Sequence, residues 1–316
     1  MKSKKRNTTF DILRALSILW VVAIWHIADY NVFFYNITRY GGYEITILSL
    51  SIFSFLSGFL LSLSNVPSVK KQRLSLYVVS ILRFELHFLK KRFVRVVPLL
   101  LLAILCLNMI DWFYDYKQIL YTILGLSLIF PPAPSTLWYI SMLLCFYLFT
   151  PFLLICKRKN IQFFTSLTLG GVLAVLVVCF GSDERILFYY IFYAGGILIN
   201  SSFIPILLLH KKIIVPISVI VFVVSVLIDY YNRNWINLFF VSLSGLVLTY
   251  YVCKFISNNR FCTKLFSVIS YASMASYLFH SIIYHFFFNI LNHHNYPLVA
   301  ILFVFICSFY IQKLYD

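Results

Sequence analysis

The chain has little charge. Charged residues make up 11% of it, where a soluble domain carries about 25%. Apolar residues reach 62% and the mean hydropathy is +0.90. Together these exclude a soluble globular protein and point to one solvated mostly by lipid. A signal-peptide cleavage site is also lacking. The start is basic and apolar, but no small-x-small pattern follows and Arg14 interrupts the run, so a retained first span is expected. The seven cysteines are odd in number and show no metal-ligand spacing. Cys106, Cys145, Cys156, Cys179, Cys253 and Cys307 fall in or beside apolar runs, which predicts free thiols. No internal repeat, low-complexity linker or appended soluble domain is visible. Inverted repeats mark many transporters, and their absence weakens that class.

What is present is a series of apolar runs, at residues 10–30, 44–64, 94–112, 137–156, 161–181, 186–203, 213–229, 235–253, 265–288 and 296–312. A membrane helix needs about 17–25 residues. The expected fold is therefore all-α and integral to the membrane, with about ten helices in one bundle over residues 1–316.

The net charge of +16 invites a nucleic-acid reading, which its distribution contradicts. With both termini cytoplasmic, the basic residues crowd the inner loops, among them Lys70, Arg83, Lys90, Lys91, Arg158, Lys211, Lys254 and Lys264. Only Arg39, Lys117, Arg185 and Arg233 fall outside, and Arg14 stays within the membrane. That is the positive-inside pattern, and it predicts a lipid-bilayer partner and no nucleic acid. Two loops are long. Residues 65–93, with Arg83, Glu85 and His87 breaking an apolar stretch, predict a cytoplasmic in-plane helix. Residues 113–136 end in Pro131, Pro132 and Pro134 and predict an external re-entrant or surface segment.

Ionisable residues inside a membrane are costly, about 2.5–3.5 kcal/mol for arginine at a helix centre, and mark functional sites. Arg14 lies about one turn inside the inner boundary of the first span. His26 comes twelve residues later, roughly 18 Å further out. His280 lies at a similar outer depth in the ninth span, so the two histidines are candidates to meet. Each has a plainer reading: Arg14 and His26 as side chains snorkelling to opposite surfaces, His280 as a hydrogen-bonded core residue. His285, His293 and His294 belong to the outer boundary and loop, His87 and His210 to the inner surface. Arg92 and Arg95 share a helix face where the third span enters the membrane. Two guanidinium forks one turn apart suit phosphate, and an ordinary positive-inside anchor suits the same residues.

Six elements stand in order along the chain. They are Arg14 and His26; the string Phe53-Ser54-Phe55-Leu56-Ser57-Gly58-Phe59-Leu60; Arg92-x-x-Arg95 with Pro98; Leu137-Trp138-Tyr139-Ile140-Ser141 leading to Tyr147 and Pro151; Tyr193-Ala194-Gly195-Gly196; and Ser276-Tyr277-Leu278-Phe279-His280. In these elements and their order the chain resembles the acyltransferase 3 family of integral membrane O-acyltransferases. The resemblance implies an enzyme that moves an acyl group, usually acetyl, from cytoplasmic acyl-CoA to a hydroxyl of a surface polysaccharide or its lipid-linked precursor. It implies functional roles for Arg14, His26, Arg92 and Arg95: His26 as the base with Arg14 as its catalytic partner, and Arg92 and Arg95 on the phosphates of acyl-CoA. Beside them, His280, Tyr139 and Ser57 are candidates to orient the base or the acceptor, His280 on the catalytic side and Ser57 and Tyr139 on the substrate side. Acetyl-CoA enters as a co-substrate, with no bound cofactor or metal. The implied setting is a multi-pass protein of the bacterial cytoplasmic membrane, working beside polysaccharide-assembly proteins. A transporter or flippase for a glycolipid or small solute is the rival class, and a non-catalytic scaffold a third.

One departure from the family pattern carries a structural expectation. The family has ten residues between its first-span arginine and histidine; this chain has eleven. Eleven helical steps of 100° return to within about 20° of the same face, and twelve land about 120° away. A π-bulge between Ala15 and Trp25 would absorb the extra residue and turn Arg14 and His26 toward one side.

Overall fold

The computed structural model describes residues 7–63, 74–110, 115–155, 159–199, 208–291, 293 and 296–316. Residues 65–73 of the expected cytoplasmic loop, 113 and 114 of the expected external segment, Cys156 and His294 lie outside them. Among the described residues there are helices and turns and no strand. Eight helices among the described residues are long and apolar enough to cross a membrane. Two more apolar helices, Trp138–Leu154 and Arg185–Leu198, stand where the fourth and sixth spans were expected and are shorter. The chain is a multi-pass membrane protein.

The helices in chain order are α1 (Thr8–Trp20), α2 (Val32–Thr38), α3 (Gly42–Ser62), α4 (Leu74–Met109), α5 (Tyr116–Ile123), α6 (Trp138–Ile155), α7 (Lys159–Phe180), α8 (Arg185–Leu198), α9 (Lys211–Tyr231), α10 (Trp235–Ile256), α11 (Arg260–Tyr284) and α12 (Pro297–Tyr315). The apolar stretch expected to form a separate in-plane helix differs from that expectation in one respect. From Leu74 it runs without a break into the third span, as the 36-residue α4 with Pro98 inside it. The segment expected to be re-entrant or surface-lying holds the short α5 and then a chain of turns to Leu137.

Two compact units make up the fold. The first comprises residues up to Leu56 and from Ile204 on; the second is Ser57–Phe203. In the first unit α1 packs on α10 and α11, α9 on α10, and α11 on α12. The α1–α11 contact is possible because both helices bury small residues, Ala15 and Ser17 on one and Ser270, Ala272, Ser273, Ala275 and Ser276 on the other. In a membrane, where lipid is as apolar as leucine, such small residues let backbones approach and gain dispersion contact. Asp11, buried near the start of α1, accepts from the Ser270 hydroxyl at 3.4 Å.

In the second unit α6 packs against α4, α5, α7 and α8, and α7 against α8. Gly58, in the Ser-Gly-Phe string, lies so close to α8 that a Cβ there would meet the Tyr193 carbonyl. That explains the glycine by packing. Gly125 has φ +77°, and a Cβ would come within 2.6 Å of the Cys145 nitrogen. It is the turn by which the segment after α5 folds back on α6. The outward faces of α7 and α9 carry Phe163, Phe164, Leu167, Val175, Ile217 and Val223, all exposed, as lipid-facing positions require.

Candidate functional site

The first span is not one regular helix. Asn7 caps α1, its side chain accepting from the Thr9 amide at 3.1 Å. After Trp20 the chain widens into a π-helical turn, Val21–Trp25, and then tightens into a 3₁₀ turn, His26–Asp29. The expected i→i+5 irregularity is therefore present, at the outer end of the window set by the spacing. The His26 amide passes over the Val22 carbonyl, its partner in a regular α-helix, and donates to the Val21 carbonyl. The Tyr284 hydroxyl donates to the Val22 carbonyl at 3.0 Å.

This winding sets His26 against His280. Their ring centroids are 4.4 Å apart, with planes tilted by 44°. The rings are bonded differently. His280 is fully buried. Its Nδ1 lies 2.7 Å from the Tyr277 carbonyl and 3.2 Å from the Ser276 carbonyl. Carbonyls only accept, so Nδ1 carries the proton, and Nε2 accepts from the Ser281 hydroxyl at 3.1 Å. Both nitrogens of His280 are occupied by its own helix. His26 is half-buried, and its ring nitrogens hydrogen-bond to none of the described residues. Of the two, only His26 has ring nitrogens open to an outside proton. Arg14 lies half-buried in α1, about three turns before the pair.

An aromatic wall backs the pair. Tyr284 packs on His280 at 6.3 Å and on Tyr30 at 6.0 Å, and Tyr30 stacks on Phe288 at 5.1 Å. Phe288 belongs to a second π-helical turn, His285–Ile290, which begins directly after Tyr284. Sequence reasoning missed Tyr284 and this second turn. The signal for Tyr284 is its place four residues after His280, on the same helix face.

In the second unit Arg92 and Arg95 occupy adjacent turns of α4. The Arg92 guanidinium lies over the Phe88 ring at 5.6 Å and the Tyr147 ring at 5.8 Å. Arg95 is exposed and has no ion-pair or hydrogen-bond partner among the described residues. Tyr139 is buried, its ring set edge-on to Trp138 at 5.6 Å and Tyr189 at 5.9 Å. Ser57 is half-buried beside Gly58.

Two ionic clusters were not foreseen. Arg185 lies 4.3 Å over the Trp138 ring and grips Asp183 through Nε at 2.9 and 3.0 Å and Nη2 at 2.5 Å. Burial alone would raise the Asp183 carboxyl; the hydrogen bonds and charge of Arg185 outweigh it and hold the group below the ordinary carboxylate range. In the first unit Arg233 lies 3.4 Å from Glu44, 3.6 Å from Asp229 and 4.3 Å over the Tyr43 ring. Glu44 and Asp229 are buried although each lies at a helix end. Sequence position alone marks such residues as solvated.

A family model described as an acyltransferase domain matches residues 7–311, nearly the whole chain. No curated protein and no solved structure matches it.

Proposed function

The chain belongs to this acyltransferase family, and from that premise we propose that it transfers an acyl group, acetyl in the first instance, from cytoplasmic acyl-CoA to a hydroxyl of a surface polysaccharide or its lipid-linked precursor. The observation that carries the reading is the contrast within the histidine pair: beside a saturated His280 stands His26, whose ring nitrogens are open. A neutral imidazole is the commonest general base near neutral pH. His26 takes the proton of the acceptor hydroxyl, the oxygen attacks the thioester carbonyl, the C–S bond breaks, and CoA leaves as the thiolate. Arg14, about three turns nearer the cytoplasm than His26, lines the route by which acyl-CoA reaches the base and offers its charge to the anionic ligand. Arg92 and Arg95 take the phosphates of acyl-CoA, Arg92 with its guanidinium plane held by two rings. Ser57 and Tyr139 contribute to the acceptor side.

The membrane setting of the proposal is ten spans with both termini cytoplasmic, in the cytoplasmic membrane of a bacterium, supported by the positive-inside charge pattern. Single cysteines at Lys211 and Asn259 are then shielded in intact cells from an impermeant thiol reagent, and those at Asp183 and Asn232 react.

The test of function is incubation of purified protein with labelled acetyl-CoA and a panel of lipid-linked glycans. Label on the glycan supports the enzyme. Movement of the glycan across a vesicle membrane without label on it makes the protein a transporter and ends the proposal.

A further inference from the structure

We infer that Tyr284 is a positioning residue, which holds the π-helical turn of the first span open and thereby sets His26 against His280. The inference rests on the reading of His26 as the base.

The first support is the bond itself. A π-turn leaves a carbonyl out of step with the regular ladder. Here the His26 amide goes to the Val21 carbonyl instead of that of Val22, and the Tyr284 hydroxyl donates to the Val22 carbonyl. The contact joins residues far apart in sequence and is fully buried. The second support is the surroundings of Tyr284. It is the last α-helical residue of α11, and the second π-turn starts at the next position. Its ring packs on Tyr30, just after the 3₁₀ turn that His26 opens, and on Phe288 inside the second π-turn. One phenol thus meets both irregular segments while lying four residues from His280. The third support is stereochemical. A regular helix through Val21–Trp25 would turn the chain beyond it by about 100° for the one extra residue, carrying His26 off His280. Whatever favours the π-form therefore favours the His26–His280 contact.

The test compares Tyr284→Phe with deletion of Ala23, alone and together. Phenylalanine keeps the ring packing and removes only the donor. The kcat of Tyr284→Phe, per folded molecule, should fall about tenfold, the scale of one buried hydrogen bond, with the KM for acyl-CoA unchanged. Deleting Ala23 removes the surplus residue, lets the turn close into a regular helix and keeps His26 on its face, so activity persists. In that background the Val22 carbonyl is paired by the backbone, and Tyr284→Phe should cost nothing further in kcat. Equal losses in both backgrounds, or a fall in folded yield with kcat untouched, overturn the role. If the deletion does not fold, an unchanged kcat in Tyr284→Phe alone overturns it. A His26→Ala variant run alongside separates the failures. If it retains turnover, the base assignment falls and the positioning role with it. If it is inactive while Tyr284→Phe is normal, only the positioning role falls.

Discussion

The histidine pair of the first unit and the arginine pair of the second are built alike in one respect and differ in another. In each, one member is tied down and its neighbour is left open. His280 gives both ring nitrogens to its own helix, and His26 gives neither. Arg92 is held over two aromatic rings, and Arg95 projects into the open. The difference is burial: His280 is fully buried and His26 half-buried, whereas Arg95 is exposed. A half-buried group with open nitrogens suits a proton transfer to a substrate that shields it from water. An exposed fork suits capture of a large anionic ligand. The comparison teaches that the open member of each pair is the one to test for chemistry and the tied member the one to test for stability.

The largest effect should come from the histidines. His26→Ala should lower turnover about 10²–10⁴-fold, the usual worth of a general base, with folding intact. His280→Ala should act mainly on stability, by roughly 2–4 kcal/mol, through the cavity left in a close-packed helix contact. Steady-state rates and thermal unfolding of both variants in the same detergent decide this. A folded but inactive His280→Ala beside an active His26→Ala would reverse the assignment.

Next come the arginines. Arg95→Lys should raise the KM for acyl-CoA about tenfold with little change in kcat, because a lysine keeps the charge and loses the fork. Arg92→Lys adds the loss of the guanidinium stacked on Phe88 and Tyr147, worth about 0.5–2 kcal/mol of stability. A double lysine variant with normal kinetics would make this pair a topological anchor and dissolve the parallel with the histidines.

The smallest effect sharpens the contrast from a third arginine. Arg185 also lies on an aromatic face, but it is neutralised by Asp183, so it should bear on stability alone. Because the folded Asp183 carboxyl sits below its ordinary value, its contribution is complete above the unfolded value near 3.9 and is lost as pH falls through the folded one. Unfolding followed against pH should show wild type losing this increment in acid while Asp183→Asn lacks it throughout. At neutral pH the two should differ by no more than about 1 kcal/mol, since the pair is partly exposed. A change in acyl-transfer rate with Asp183→Asn would move this cluster into the reaction.

The sequence by itself determined the helical class, the approximate span positions and the candidates Arg14, His26, Arg92 and Arg95; set against the family's spacing, it also raised the expectation of an irregular turn after Arg14. Hydropathy adds up along a window regardless of neighbours, and helical rotation per residue is fixed, so both are legible in one dimension. Their limits show at Arg185–Leu198, which is apolar but, at 14 residues, shorter than a full span, and at α4, where a charged stretch stays helical without a break. Only the tertiary structure decided that the turn falls at Val21–Trp25, that His26 meets His280, that His280 is saturated by Tyr277 and Ser281, and that Tyr284 reaches across to Val22. A hydrogen bond depends on placing two groups within a few tenths of an ångström, and that placement is set by how α1 packs on α11, a contact between residues more than 250 positions apart in the chain.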